Sequence, residues 1–402
     1  MAAQEFDIVI AGGGLAGCLM ALSLAELTRA DGAKLSIAII EANPVLKDAS
    51  KSFDDRVLAL SHGSCEYLKK VGIWQSLQAD AEAIESIHIS DRGHYGKARI
   101  QAHEHRVSAL GHVVEMSLIG KALLAALKPM KNIHWFAPDT IESIDWQQEN
   151  VTLALASGSE LKASLLLACD GGMSACRQLA NIDISKRDYG QSALIANVAT
   201  RKPHQNIAYE RFTETGPIAM LPLSSIKEGE SRCSLVWTLT PELAEQVQNY
   251  TDSEFKLALE QAFGSWLGSI TQVGKRDIYP LNLVQAKEQV YHRMALIGNA
   301  SHTIHPIAGQ GFNLGLRDVE QMAKQLKLAL KNGQDIGHYA LLSDYAQRRQ
   351  KDHSEVITLT DSLVTLFSND LPPLVVGRNI GLKVLNYLSP LKNALVKKTM
   401  GY

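Results

Sequence analysis

The chain opens with two dense apolar runs, Phe6-Asp-Ile-Val-Ile-Ala11 and Leu35-Ser-Ile-Ala-Ile-Ile40. Both are short, rich in β-branched residues and without polar alternation, the pattern of parallel strands buried on both faces. Between them, Cys18-Leu-Met-Ala-Leu-Ser-Leu-Ala-Glu-Leu27 has neither Gly nor Pro and predicts a helix. The first run enters that helix through Gly12-Gly-Gly14-Leu-Ala-Gly17, and the second ends on Glu41. Strand, glycine turn, helix, strand and acid in this order form the dinucleotide-binding βαβ pattern in its required context.

Each residue type there has a physical task. Gly12 permits the tight turn off the strand, Gly14 lets backbone approach a pyrophosphate, and Gly17 lets the helix pack closely on the sheet. The helix start offers free N–H groups and the positive end of its dipole. Glu41 can accept hydrogen bonds from both hydroxyls of an adenosine ribose and would repel a 2′-phosphate, so FAD or NAD fits better than NADP.

Further along, Arg56-Val-Leu-Ala-Leu-Ser starts a new element and Gly63 to Val71 predicts an amphipathic helix. Ile84 to Ser90 alternates as a strand, another lies near Val113-Val114, and Ser117 to Leu127 predicts a helix. Ile133 to Phe136, Thr140 to Trp146 and Val151 to Leu155 predict a small antiparallel sheet. Leu161 to Ala168 is apolar enough for a central parallel strand and ends at Cys169-Asp170-Gly171-Gly172, where open α/β sheets place ligands. Taken alone, these residues are better explained by a plain Asp-Gly turn with Ser174 capping a helix.

From about 185 the pattern changes. Leu194 to Thr200, Ile207 to Phe212, Ile218 to Leu223 and Cys233 to Leu239 predict an antiparallel sheet inserted in the first domain, and Pro241 to Leu267 carries helical periodicity. A third signal follows in Gly298-Asn299-Ala-Ser-His302-Thr-Ile-His305-Pro306-Ile-Ala-Gly309-Gln310-Gly311-Phe312-Asn313. There a strand runs into a loop rich in Gly and Pro that opens a helix, bringing many N–H groups near a bound anion or polarised carbonyl. His302 and His305 have no nearby Cys or convincing acidic third ligand, so no metal is assigned. His94, His103 and His105 sit in polar sequence and are placed on the surface. The chain closes with helices from Tyr339. Its final stretch sets Arg378, Lys383, Lys392, Lys397 and Lys398 among apolar residues such as Val375, Leu382 and Leu395. A packed helical lid and an interfacial element drawn to anionic lipid both fit that pattern.

Composition narrows the class. At 402 residues the chain exceeds a single ordinary core, which suits two domains, and 46% hydrophobic with 20% charged residues is the balance of a water-soluble globular protein. A net charge of −2 gives no electrostatic footprint for nucleic acid. The five cysteines have no CxxC spacing and read as reduced thiols. With no basic start before an apolar stretch and no long apolar run, a cytoplasmic protein is expected.

With its three signals in this order, the chain resembles the flavin-dependent aromatic hydroxylases typified by para-hydroxybenzoate hydroxylase. Ser90-Asp-Arg-Gly-His94, Ala109 to Glu115, Gly216-Pro-Ile-Ala-Met-Leu-Pro222, Cys233-Ser-Leu-Val-Trp237, His305 to Asn313 and Val375 to Leu382 are similar to the ubiquinone-biosynthesis hydroxylases of the 2-octaprenyl-6-methoxyphenol type. The likeness spans nearly the whole chain.

That resemblance implies an α/β fold: a Rossmann-like FAD-binding domain, an inserted antiparallel β-sheet substrate domain and C-terminal helices. The corresponding segments are 1–184 with 275–350 for FAD, 185–274 with part of 72–112 for substrate, and 351–402 for the helices. It implies FAD held by Gly12, Gly14, Gly17, Glu41, Arg56, Asp170, Gly298, Asn299, Pro306, Gly311, Phe312 and Asn313. His305 and Gln310 would flank the flavin as positioning residues, and no catalytic acid or base is assigned. The implied chemistry has NAD(P)H reduce FAD, O₂ add at flavin C4a, and the hydroperoxide hydroxylate the ring of a polyprenyl phenol. Other ubiquinone-biosynthesis proteins and the inner-membrane surface are the implied neighbours. The family's late motif reads Gly-Asp, whereas here it is Gly298-Asn299, leaving an uncharged acceptor for the ribityl chain. No second GxGxxG serves a nicotinamide coenzyme. The sequence leaves open a sister hydroxylase acting at another ring carbon, an epoxidase or polyprenyl reductase with the same FAD motifs, and a non-catalytic FAD-binding subunit of a biosynthetic complex.

Overall fold

The computed structural model describes residues 3–44, 52, 54–93, 96–226, 229–304, 309–367 and 400–401. The calls on His94, His305, Pro306 and the basic-apolar series from Val375 to Lys398 lie outside those residues.

Two sheets organise the chain. The first has eight strands, with Gln4–Ala11 between Glu160–Ala168 and Ile37–Ile40, all three parallel. Both faces of these strands are buried, which is why their sequence is continuously apolar. Ile8, Ile10, Ile37 and Ile39 point to one core, while Val9, Ala11, Ala38 and Ile40 point to another. The helices Leu15–Leu24, Met116–Leu127 and Gln310–Lys331 contribute to the first core, and the hairpin Ile141–Trp146 with Val151–Leu155 covers the second. Met294–Leu296 extends the sheet parallel to Glu160–Ala168.

The strand Ile133–Phe136 departs from expectation. It pairs parallel with Ile37–Ile40 at the edge of this sheet rather than with the antiparallel hairpin. The helix Met116–Leu127 just before it supplies the crossover that a parallel neighbour needs.

The second sheet has nine strands, and Ile184–Thr200 is its spine, pairing with Ser231–Leu239 on one side and Asp277–Ala286 on the other. Gly216–Leu223, Ile207–Thr213, Ser86–Asp91 and Lys97–Gln101 continue it outward. The sheet therefore takes residues 277–286 as well as the expected 185–274 segment. Pro280 within that strand masks it in the sequence, because Pro normally argues against a strand interior. The stretch Pro241 to Leu267 resolves into two helices, Pro241–Gln248 and Asp252–Phe263, divided where Thr251 and Glu254 form a capping box. These helices bury one face of the sheet with Leu194, Met220, Leu235 and Trp237.

A three-stranded sheet of Val57–Ser61, Gly111–Glu115 and Glu82–Ile84 lies against the other face, where Val113 packs with Ala208, Ile100 and Leu223. The buried pair Arg232–Glu115, 2.7 Å apart, ties that small sheet to the large one.

Candidate active site

Three turns converge at the carboxyl ends of neighbouring parallel strands, after Ala11, Ala168 and Leu296. Gly12 has φ +94°, and a β-carbon there would lie 2.6 Å from the Cys169 carbonyl oxygen. A side chain at Gly17 would meet the Gly12 carbonyl oxygen at 1.8 Å. Gly298, at φ +61°, fits between Ala16 and Gly315, which a β-carbon would approach to 3.9 and 3.7 Å. Gly12, Gly17, Asp170 and Gly298 are thus brought together by close backbone packing.

Gly14 differs from these, because a β-carbon on it would meet nothing within 4 Å. It is the N-cap of the helix Leu15–Leu24, and no side chain caps that end. The first-turn N–H groups therefore face open space, the arrangement that receives an anion. Glu41 stands beside the turn, its Oε2 accepting the Gly13 N–H at 2.7 Å and its Oε1 the Asn43 N–H at 2.9 Å. Asp170 accepts the Cys176 N–H through Oδ2 at 3.0 Å, while its buried Oδ1 has no partner among the described residues.

The helix Gln310–Lys331 supplies a second uncapped N-terminus, entered through Gly309 at φ +62°. Asn313 fixes it. Its amide donates to the carbonyls of Ala59 at 2.8 Å and Gly309 at 2.7 Å, and its Oδ1 accepts from the Ser61 N–H at 2.9 Å and the Ser64 hydroxyl at 2.6 Å. This side chain is fully occupied in stitching strand to helix, which leaves backbone N–H groups of the first turn as the available donors. Gln310 is buried, and Phe312 packs partly against the main core. Arg56 is solvent-exposed at the head of Val57–Ser61, with Nη1 3.5 Å from the Tyr279 hydroxyl. Asn299 is exposed in the turn after Gly298.

Behind the turn lies a buried charge cluster. Asp318 accepts the Gly298 N–H at 3.0 Å, His302 Nε2 at 3.0 Å, Arg349 Nε at 2.6 Å and His353 Nε2 at 2.8 Å. Asp318, His302 and His353 have the spacing of a metal cluster, but Arg349 already supplies the positive charge and fills an acceptor site of the carboxylate. Burial opposes ionisation of Asp318, and the charges and hydrogen bonds of His353 and His302 outweigh it, holding its pKa well below the usual range.

On the second sheet, a row of cross-strand partners runs Ile89, Glu210, Ala219, Val236, Ile195. All five are half-buried within strands whose other inward residues are mostly buried. Glu210 shares its face with Ala208, which packs toward the three-stranded sheet and away from the helices. The row sets one carboxyl among four apolar side chains, and burial pushes that carboxyl up to about 7. Glu210 is absent from the sequence-derived candidates. Its alternation with Ala208 and Phe212 was the available signal, an acid among buried positions of a strand.

Comparison with known proteins bears on this geometry. The family described as an FAD binding domain matches residues 5–360. Ubiquinone hydroxylase UbiL of Rhodospirillum rubrum is 33% identical, the alignment covering 98% of this chain and 89% of that protein. The 3-demethoxyubiquinol 3-hydroxylase of Escherichia coli is 31% identical over the whole of both chains. The chain belongs to this family of FAD-dependent hydroxylases. The human mitochondrial ubiquinone biosynthesis monooxygenase COQ6 is 30% identical, with 97% of this chain and 92% of that protein covered. The crystal structure of p-nitrophenol 4-monooxygenase PnpA from Pseudomonas putida superposes with a TM-score of 0.79 at 18% identity, covering 99% of each chain, and shares the fold.

The residues of this flavoprotein fit FAD. The clear space over Gly14 suits a pyrophosphate, and the unpartnered Oδ1 of Asp170 is an acceptor awaiting a donor. The cysteines Cys18, Cys65, Cys169, Cys176 and Cys233 are free and buried. Burial, with Glu41 nearby, pushes the Cys18 thiol up to about 12, which removes it as a nucleophile beside the turn. Among the described residues no helix is long and apolar enough to cross a membrane.

Proposed function

We propose that this flavoprotein hydroxylates the aromatic ring of a polyprenyl phenol of the 2-polyprenyl-6-methoxyphenol type in ubiquinone biosynthesis. NAD(P)H supplies two electrons, and O₂ supplies one atom to the ring and one to water. The observation that carries the substrate class is this row: Ile89, Ala219, Val236 and Ile195 are apolar and half-buried, and Glu210 stands among them with one carboxyl.

Bound FAD supplies activation of O₂ and transfer of one oxygen atom. The N-terminus of Leu15–Leu24, freed by Gly12, Gly14 and Gly17, holds the pyrophosphate, and Glu41 holds the adenosine ribose. For that ribose to bind, the contacts of Glu41 to Gly13 and Asn43 must be partly exchanged. Asp170, Gly298 and Asn299 border the remainder of the cofactor. The N–H groups of Gly311, Phe312 and Asn313 would favour negative charge on the pyrimidine side of the reduced ring, and Pro306 keeps the bordering role that the resemblance implies. Arg56 contributes positive charge near the phosphates, and His305 with Gln310 positions the ring. Glu210 accepts the phenolic proton, because a phenolate directs more electron density to its ortho and para carbons than the phenol does. A carboxyl near 7 is matched to that task at neutral pH.

The reading predicts a yellow protein that releases all its flavin on denaturation. Added polyprenyl phenol should suppress the hydrogen peroxide formed from NAD(P)H and O₂, with one hydroxyl appearing per NAD(P)H. A colourless protein that FAD cannot reconstitute, or peroxide formation unaffected by any such phenol, overturns it. A second reading, hydroxylation at another ring carbon, draws on the full-length likeness to the Escherichia coli 3-demethoxyubiquinol 3-hydroxylase. NMR of the product separates the two.

A further inference from the structure

A cavity of about 440 Å³ opens on the opposite face of the nine-stranded sheet from Glu210, the face turned to Trp266. His88, Arg99 and Tyr209 stand side by side on it, since His88 pairs with Arg99 on one neighbouring strand and with Tyr209 on the other. Strand alternation sends Ile87 and Ile89 to the opposite face, so these three side chains stand on the face away from the three-stranded sheet and Glu210.

The cavity has an aromatic wall and a polar floor. The His88 ring meets Trp266 edge to face at 4.2 Å, and Tyr209 lies 6.1 Å from Trp266. His88 is only 4% exposed, and its Nε2 has no hydrogen-bond partner among the described residues. A buried imidazole nitrogen left unpaired is costly, and a ligand that reaches it relieves that cost. The surrounding charge is positive. Lys97 holds its ammonium 5.3 Å from the centre of the Trp266 ring. Burial, followed by Arg99, Lys97 and Arg211, lowers His88 to about 4, which keeps the imidazole neutral at physiological pH. Asp91 offsets Arg211 from the next strand. The one carboxylate in the lining, Glu85, sits on the exposed rim and accepts a hydrogen bond from Asn206 at 2.9 Å.

We propose that this cavity binds a small planar aromatic carboxylate, with its ring against Trp266 and Tyr209 and its carboxylate toward Arg99 and His88. The volume is within the range of small-molecule sites, and the convergence of an aromatic wall with a few polar groups is their usual composition. Arg presents a fork that matches a carboxylate, and the positive surroundings disfavour an aromatic amine. The cavity lies on the face of the sheet away from Glu210, and the proposal does not depend on which phenol is hydroxylated.

The test is calorimetric titration of the flavin-loaded protein with sodium benzoate, with benzyl alcohol and benzylamine as comparators. Saturable benzoate binding with a Kd on the order of 0.1–1 mM is expected for so small a ligand. Benzyl alcohol and benzylamine should bind about tenfold more weakly or not at all, and the visible bands of the flavin should not move. Arg99→Gln should weaken benzoate about tenfold or more. Ser108→Trp, placed on the exposed rim to plug the mouth, should abolish it. If Arg99→Gln melts early, Ser108→Trp decides alone, because an exposed rim residue leaves the core intact. Absence of saturation below about 10 mM, binding that survives Ser108→Trp, or binding that shifts the flavin bands overturns the proposal.

Discussion

Gly17 packs so closely on Gly12 that a β-carbon at position 17 would lie 1.8 Å from the Gly12 carbonyl oxygen. The helix Leu15–Leu24 can rest on its own preceding turn only with hydrogen at that position. Gly14, three residues earlier, has open space where a β-carbon would go. The two glycines therefore predict different defects. Gly17→Ala should destabilise even the flavin-free protein by about 1–3 kcal/mol, the usual cost of overpacking. Gly14→Ala should leave the flavin-free melting temperature nearly unchanged and weaken FAD, because its methyl group occupies the approach of the pyrophosphate. Melting curves with and without FAD, with flavin fluorescence for affinity, separate the two. Equal melting temperatures for the two apoproteins would contradict this division of roles.

The parts of the fold legible in the sequence are those set by local pattern. Ile8 to Ala11 and Ile37 to Ile40 are apolar at every position because both faces are buried, and glycines mark their turns. What was not legible depends on partners distant in the chain. Ile133–Phe136 has the same composition whether it joins a hairpin or the parallel edge, and only its pairing with Ile37–Ile40 decides. Asp318 looks like an ordinary helix acid until Arg349 and His353 arrive from the next helix. Glu210 acquires its environment from Ile89 and Ala219, on two other strands.

The resemblance sets Asn299 at the position of a family aspartate, and its side chain is exposed in the turn after Gly298. A carboxylate there would accept the same hydrogen bond with charge assistance. Asn299→Asp is expected to retain FAD or to tighten it by about tenfold at most, read by quenching of free-flavin fluorescence on titration. A marked loss of bound flavin would remove residue 299 from the ribityl contact.

Asp318 holds the Gly298 N–H and Arg349 with the same carboxylate. Asp318→Asn removes one of the two carboxylates on the buried Arg349, whose Nη1 keeps Asp352 at 2.6 Å, so the cost should fall below the ~3–5 kcal/mol of a buried ion left wholly unpaired. The pH dependence follows from the depressed pKa of the folded state. Stabilisation from this carboxylate is fully present above the ordinary aspartate value and is lost as pH falls toward the lower folded value. Denaturant midpoints should therefore decline in acid more steeply for the wild type than for Asp318→Asn. Parallel acid profiles would show that the carboxylate does not carry the stability of this turn.

Glu210 is raised to about 7 by burial, with no cationic partner among the described residues to oppose it. As a proton acceptor it predicts turnover that rises with pH through about 7 and then levels. Glu210→Gln should lower kcat about a hundredfold, the low end for a lost general base, and flatten that limb. Stability moves in the other direction. The folded pKa lies above the unfolded one, so the neutral carboxyl favours the fold at low pH, and this advantage fades as pH rises from the unfolded value through about 7. Glu210→Gln should then melt higher than the wild type at pH 8, with the gap closing near pH 4. FAD content should be the same in both proteins. A variant that keeps the wild-type pH–rate profile would assign proton removal to another group, whereas one that loses FAD would place Glu210 in the support of the cofactor rather than beside the phenol.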